Sequence, residues 1–165
     1  MKIELKAIKH FPSMSEETEC FNANVYVDGK KVAYAENRGY GGNTDIKTIK
    51  GCESIVAKAE EYCKTLTSIE GMGGMKLEID LEFHVELLLE QHLKAKDKKK
   101  LEKDFLKGII YKDSSGIEKI IQWKGHTIET LLKHPQGLKM AKKTIDGIKA
   151  KGGTVLNTNL PKEIL

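Results

Sequence analysis

Two alternating segments flank an Asp28-Gly29 pair, and few sequence signals constrain a fold more tightly. Phe21-Asn22-Ala23-Asn24-Val25-Tyr26-Val27 places apolar side chains at every second position, and Lys30-Lys31-Val32-Ala33-Tyr34-Ala35 resumes after the pair. Successive side chains of a strand point to opposite faces, so this alternation reads as strand. Asp-Gly accepts the positive φ angles of a type I′ turn, whose twist matches that of the flanking strands. The segment therefore predicts a two-residue β-hairpin. Residues 2–9 alternate as well, with Ile3, Leu5 and Ala7 on one face and Lys2, Glu4 and Lys6 on the other. Three antiparallel strands over residues 2–36 then form a meander, interrupted by a polar loop at residues 12–17.

After the meander the period changes. Gly39-Tyr40-Gly41-Gly42-Asn43 ends the strand set. Residues 50–66 repeat Ile55, Ala59, Tyr62 and Leu66 at helical spacing. A second glycine-rich breaker, Gly71-Met72-Gly73-Gly74, follows. Leu81, Val85, Leu88, Leu89 and Leu93 predict a helix over about residues 80–97, with Asp80 as its N-cap and a further turn or two around residues 101–104. Apolar stretches at 105–111 and 117–123 flank Asp113-Ser114-Ser115-Gly116 and predict a second hairpin. Short and longer helices are expected at 127–133 and 136–149, with Gly152-Gly153 as a C-cap pair and a last strand at 154–157. The fold class that follows is α+β: an antiparallel sheet of the N-terminal meander plus the second hairpin, packed against two or three helices. No repeat or long linker appears, so residues 1–165 read as a single domain.

Charge is where the composition becomes informative. The 28 basic and 24 acidic residues give a net +4, but the excess is not evenly spread. Residues 92–151 hold 16 lysines and 7 acids, a balance of +9, and the remainder balances at −5. A basic segment attracts phosphate, and an acidic one discourages wrapping around the whole chain. Lysines that merely solvate helix faces account for the same pattern. Of the 28 basic residues only Arg38 is an arginine, which limits bidentate base reading. Lys94, Lys96, Lys98, Lys99, Lys100 and Lys103 form the most basic run. They are candidate nucleic-acid contacts, with Trp123 on the second hairpin as a stacking surface. A lysine-rich helix end also complements the helix dipole, a purely structural reason for the same residues.

The two glycine-rich loops could cradle an anion with their backbone N–H groups, or close as structural turns with glycines at positive φ. Neither carries the Gly-Lys-Ser/Thr of a phosphate loop. The first is the richer, and Arg38, Tyr40, Gly41, Gly42 and Asn43 are its candidate ligand- or phosphate-binding residues. Cys20, Cys52 and Cys63 are widely spaced, with no Cys-x-x-Cys, and are expected as reduced thiols. No His-Glu-x-x-His occurs, and the Glu82, Glu86, Glu90 stripe reads best as a solvated helix face. No catalytic residue, metal site or cofactor is assigned. No apolar run reaches the roughly 20 residues that span a bilayer, and the N-terminus lacks the apolar core of a signal peptide, so a cytoplasmic protein with no membrane partner is expected.

Residues 2–10, 15–21 and 26–33, together with Asn37-Arg38-Gly39-Tyr40-Gly41-Gly42, resemble small proteins of phages and bacterial mobile elements. The resemblance is best over residues 2–45. No activity is established for that group, so it supplies no catalytic residues, and it implies an accessory or counter-defence role. The leading expectation is a non-enzymatic binding protein that engages nucleic acid or a host protein through its basic surface. The alternative is a small nucleotide-binding (sequestering) protein or phosphodiesterase that uses the 39–42 loop. A structural subunit that self-associates stays open beside them.

Overall fold

The structure, a computed structural model, describes residues 1–66, 69–70 and 76–165. The 71–74 glycine loop lies outside the described residues. The fold is α+β. Contacts gather into two compact units, Met1–Lys94 and Ala95–Leu165.

The first unit is built on a four-stranded antiparallel meander of β1 (Ile3–His10), β2 (Phe21–Val27), β3 (Lys30–Asn37) and β4 (Asp45–Thr48) in sequential order. The Asp28-Gly29 turn has positive φ at both residues, 47° and 84°, as the hairpin signal requires. Asp28 also accepts the Lys2 backbone N–H at 2.7 Å, which ties the turn to the start of β1.

The alternation in β1 does not run unbroken. Its register with β2 shifts between Lys6 and Lys9, and Ala7 sits at φ 51°. One extra residue moves the strand's phase by one position, so Ile8 packs on the core and Ala7 faces solvent. A second irregularity opposite Val25-Tyr26 explains why consecutive Val32 and Ala33 are both fully buried. β4 pairs with residues 33–36 of β3 but carries only one apolar side chain, Ile46, so no alternation announced it.

α1 (Glu53–Lys64) buries Val56, Ala59 and Cys63 and packs against β3. Short strands β5 (Ile69–Glu70) and β6 (Lys76–Leu77) pair antiparallel. α2 (Leu81–Lys107) begins as its N-cap signal predicts, with the Phe83 N–H donating to Asp80 Oδ1 at 2.7 Å. It then runs 27 residues without a break, because residues 76–107 contain neither glycine nor proline. Phe105-Leu106-Lys107, read as the start of a strand, is the last turn of this helix. The core of the first unit joins Phe21, Val25, Val32 and Ala59 to Leu81, Val85 and Leu89.

In the second unit the hairpin β7 (Gly108–Lys112) and β8 (Glu118–Gln122) does not extend the meander. β7 pairs with β8 on one side and with β9 (Thr154–Val155) on the other. Asp113 shapes the connecting turn by accepting the Ser115 and Ile117 N–H groups at 2.9 and 3.0 Å. α3 (Ile128–Leu132) opens with a Thr127–Thr130 capping box, and α4 (Pro135–Ala150) opens on proline. α4 turns Gly137, Ala141, Ile145 and Ile148 to a core shared with Ile109, Ile128 and Leu131. Gly137 is required there, since a Cβ would collide with the Leu131 carbonyl oxygen. Asn157, only 4% exposed, holds this unit together. It accepts the Ile110 N–H at 2.7 Å and donates to the Gly108 carbonyl at 3.1 Å and to Asn159 Oδ1 at 3.0 Å.

Candidate functional site

The 39–42 loop is organised by Asn37, which is 6% exposed. Asn37 Oδ1 accepts from Thr18 Oγ1 at 2.8 Å and from the Gly39 N–H at 2.9 Å. Its Nδ2 donates to the Gly42 carbonyl at 3.2 Å and faces Thr44 Oγ1 at 3.4 Å. The Gly41 N–H donates to Thr18 Oγ1 at 3.3 Å, and the buried Thr44 hydroxyl donates to Glu86 at 2.8 Å. The Gly39 carbonyl in turn accepts the Glu16 and Glu17 N–H groups. Gly39, at φ 88°, sits so close to Cys20 and to the Met14 backbone that any side chain would displace them. Two of the amides that could have cradled an anion are therefore engaged inside the fold.

Electrostatics at this loop run against an anion as well. A Glu17 carboxylate oxygen lies beside Gly41, and Arg38 Nε is 3.8 Å from Glu36, which also holds Lys47 at 2.8 Å. Arg38 and Tyr40 are open to solvent, at 76% side-chain and 61% residue exposure. Burial, reinforced by Asp80, pushes the Glu82 carboxyl above its ordinary value, as expected where carboxylates crowd. Asn43 lowers that carboxyl slightly against the larger effect of burial. Gly42 alone among the loop glycines with positive φ has open space around its Cβ position.

Lysines occupy the second unit differently. Residues 95–165 contain 16 lysines against 8 acids, whereas residues 1–94 contain 12 basic residues against 16 acids. The charge split seen in the chain thus follows the division between the compact units. Lys96, Lys99, Lys100 and Lys103 are spaced i, i+3, i+4, i+7 on α2, which puts them on one face, and all are exposed. Lys98 is exposed on the same helix, and Lys94 pairs with Glu90 at 2.5 Å. On α4, Lys139, Lys142, Lys143 and Lys149 are exposed, clear of the buried Ala141, Ile145 and Ile148 positions. Among the described residues, three of the second unit's lysines pair with a side-chain carboxylate: Lys107 with Asp104, Lys119 with Asp113 and Lys133 with Glu129. Trp123 is half-buried and packs against the second core, so its ring has a structural role whatever else it touches.

The described residues contain no group of three or more His, Cys, Asp or Glu side chains placed to hold a metal ion. Burial depresses His84 below its ordinary value and pushes the Cys63 thiol up to about 11, which leaves that thiol protonated and inert. All three cysteines are buried and free. No helix among the described residues is long and apolar enough to cross a membrane.

Sequence reasoning found the lysine run and the glycine loop with Asn37 beside it, but neither Asn157 nor the organising role of either asparagine. A buried polar residue has no periodic signature, and Asn37 is marked only by the glycines that follow it. Compared with known protein families, curated proteins and solved structures, the chain finds no match.

Proposed function

We propose that this protein is a non-enzymatic nucleic-acid-binding protein that holds the phosphate backbone through the lysine-rich face of residues 95–165. The observation that carries the reading is the surplus of exposed lysines on α2 and α4: among the described residues Lys96, Lys98, Lys99, Lys100, Lys103, Lys139, Lys142 and Lys143 have no carboxylate partner, whereas Lys149 donates to the Leu165 carbonyl. Lysine is a compact point charge that contacts phosphate without reading bases, so the binding is sequence-tolerant. The acidic first unit is repelled by the same ligand, which orients the basic face toward it. An accessory role of this kind fits the resemblance of residues 2–45 to phage and mobile-element proteins.

A labelled oligothymidylate titrated at several salt concentrations tests this. Each neutralised phosphate releases counterions, so log K falls linearly with log salt, by about 0.7 per phosphate on a single strand. Changing Lys94, Lys96, Lys98, Lys99, Lys100 and Lys103 to Glu is expected to weaken binding and flatten that slope. Undiminished binding by the six-fold variant, or none by the natural protein at about 50 mM salt, refutes the proposal. Capture of a protein partner with no salt slope also counts against it.

A further inference from the structure

One glycine of the second unit has no structural reason to be glycine. Gly147 lies in the interior of α4, where glycine destabilises a helix relative to alanine. The other close-packed glycines of this unit explain themselves: a Cβ at Gly137 or Gly108 would strike a carbonyl oxygen, and one at Gly153 would meet Ile148 at 2.8 Å. A Cβ at Gly147 would meet nothing within 4 Å. The open space above it belongs to a groove of about 390 Å³ between α4 and the β7–β8 hairpin. That volume falls in the range of small-ligand sites, roughly 300–1,000 Å³.

The groove is lined for a phosphate ester. Lys143 and Lys151 lie one turn before and one turn after Gly147, and Lys119 lines it from β8. The one facing carboxylate, Asp113, is already held by Lys119 at 2.6 Å and by two backbone N–H groups, so two ammonium charges are left over. Tyr111 and Ile121, both half-buried, supply an apolar floor. A duplex keeps its bases stacked inside, whereas a single strand can lay a base against such a floor while its phosphate meets the lysines.

We infer that this groove seats one nucleotide of a single-stranded nucleic acid, with its phosphate at Lys143 and Lys151 and its sugar or base against Tyr111, and that Gly147 is glycine so that the strand can lie directly on the α4 backbone. The inference rests on the nucleic-acid reading above and assigns it a place. Gly147→Ala is expected to raise the melting temperature by about 3 °C, because the fold does not need the glycine. Gly147→Leu fills the open space, and its affinity for labelled oligothymidylate is expected to fall about ten-fold, the equivalent of losing one stacked base. Natural-like affinity in Gly147→Leu, or a lowered melting temperature in Gly147→Ala, overturns the inference. If Gly147→Leu binds normally while the six-lysine α2 variant does not, the groove falls and the basic-face reading stands. If the natural protein binds no oligothymidylate, both fall.

Discussion

Replacing Asn157 by alanine tests how the second unit is held together. Asn157 makes three well-formed hydrogen bonds, to the Ile110 N–H at 2.7 Å, the Gly108 carbonyl at 3.1 Å and Asn159 Oδ1 at 3.0 Å. A fourth contact, to the Phe105 carbonyl at 3.4 Å, is weaker, and that oxygen keeps Asn159 Nδ2 as a donor at 3.1 Å. Each good bond contributes about 1 kcal/mol net, and a buried N–H left without an acceptor adds to the loss. Asn157→Ala should therefore cost about 3 kcal/mol. The chain's single tryptophan, Trp123, packs against this unit's core, so its fluorescence during urea unfolding reports on this unit. With a slope of about 2 kcal/mol per molar urea, the midpoint should fall by about 1.5 M. Asn157→Asp is a sharper companion. It keeps the acceptor for Ile110 but turns a carboxylate oxygen toward the Gly108 carbonyl, so it should be at least as damaging at neutral pH and recover in part as acid protonates it. A midpoint shift for Asn157→Ala below about 0.5 M would refute the reasoning that this side chain is the hub of the unit.

Two further perturbations have defined signs. Burial lowers the His84 value from 6.5, so below that pH the unfolded chain binds more protons than the folded one and stability falls as pH drops. His84→Gln should remove that part of the loss as pH falls through and below 6.5, measured as the difference from the natural protein so that Glu82, raised and opposite in sign, cancels. An unchanged pH profile would show that His84 is not desolvated. Gly137→Ala should destabilise the second unit by about 2 kcal/mol, because its Cβ meets a backbone oxygen that cannot move aside. Trp123 fluorescence in urea measures it, and a neutral result would remove the close approach of α4 to Leu131.

Local chemistry was legible where one residue type meets one backbone requirement. Asp28-Gly29 can only be read as a tight turn between alternating strands, and both residues adopt the positive φ it demands. Asp80 caps α2, and the periodic faces of α1 and α4 turn toward the cores, whereas the Thr127 capping box and the opening of α4 on Pro135 came from the structure. The candidate loop was legible as a loop and no further. Its glycines look alike in sequence, and only the positions of Thr18, Cys20 and Asn37 show that the Gly39 and Gly41 amides are already engaged.

Sequence by itself determined the α+β class, the hairpin, the Asp80 cap and the partition of charge, because each depends on residues near one another in the chain. Tertiary structure decided the rest. The phase of β1 past Ala7 depends on a bulge that only its pairing with β2 reveals. β4 exists because β3 offers it an edge, and β7 pairs with a segment more than forty residues away. A buried asparagine and an exposed helical glycine are single letters with no period. Their meaning comes from what stands within a few ångströms of them, and that is settled only when distant segments pack.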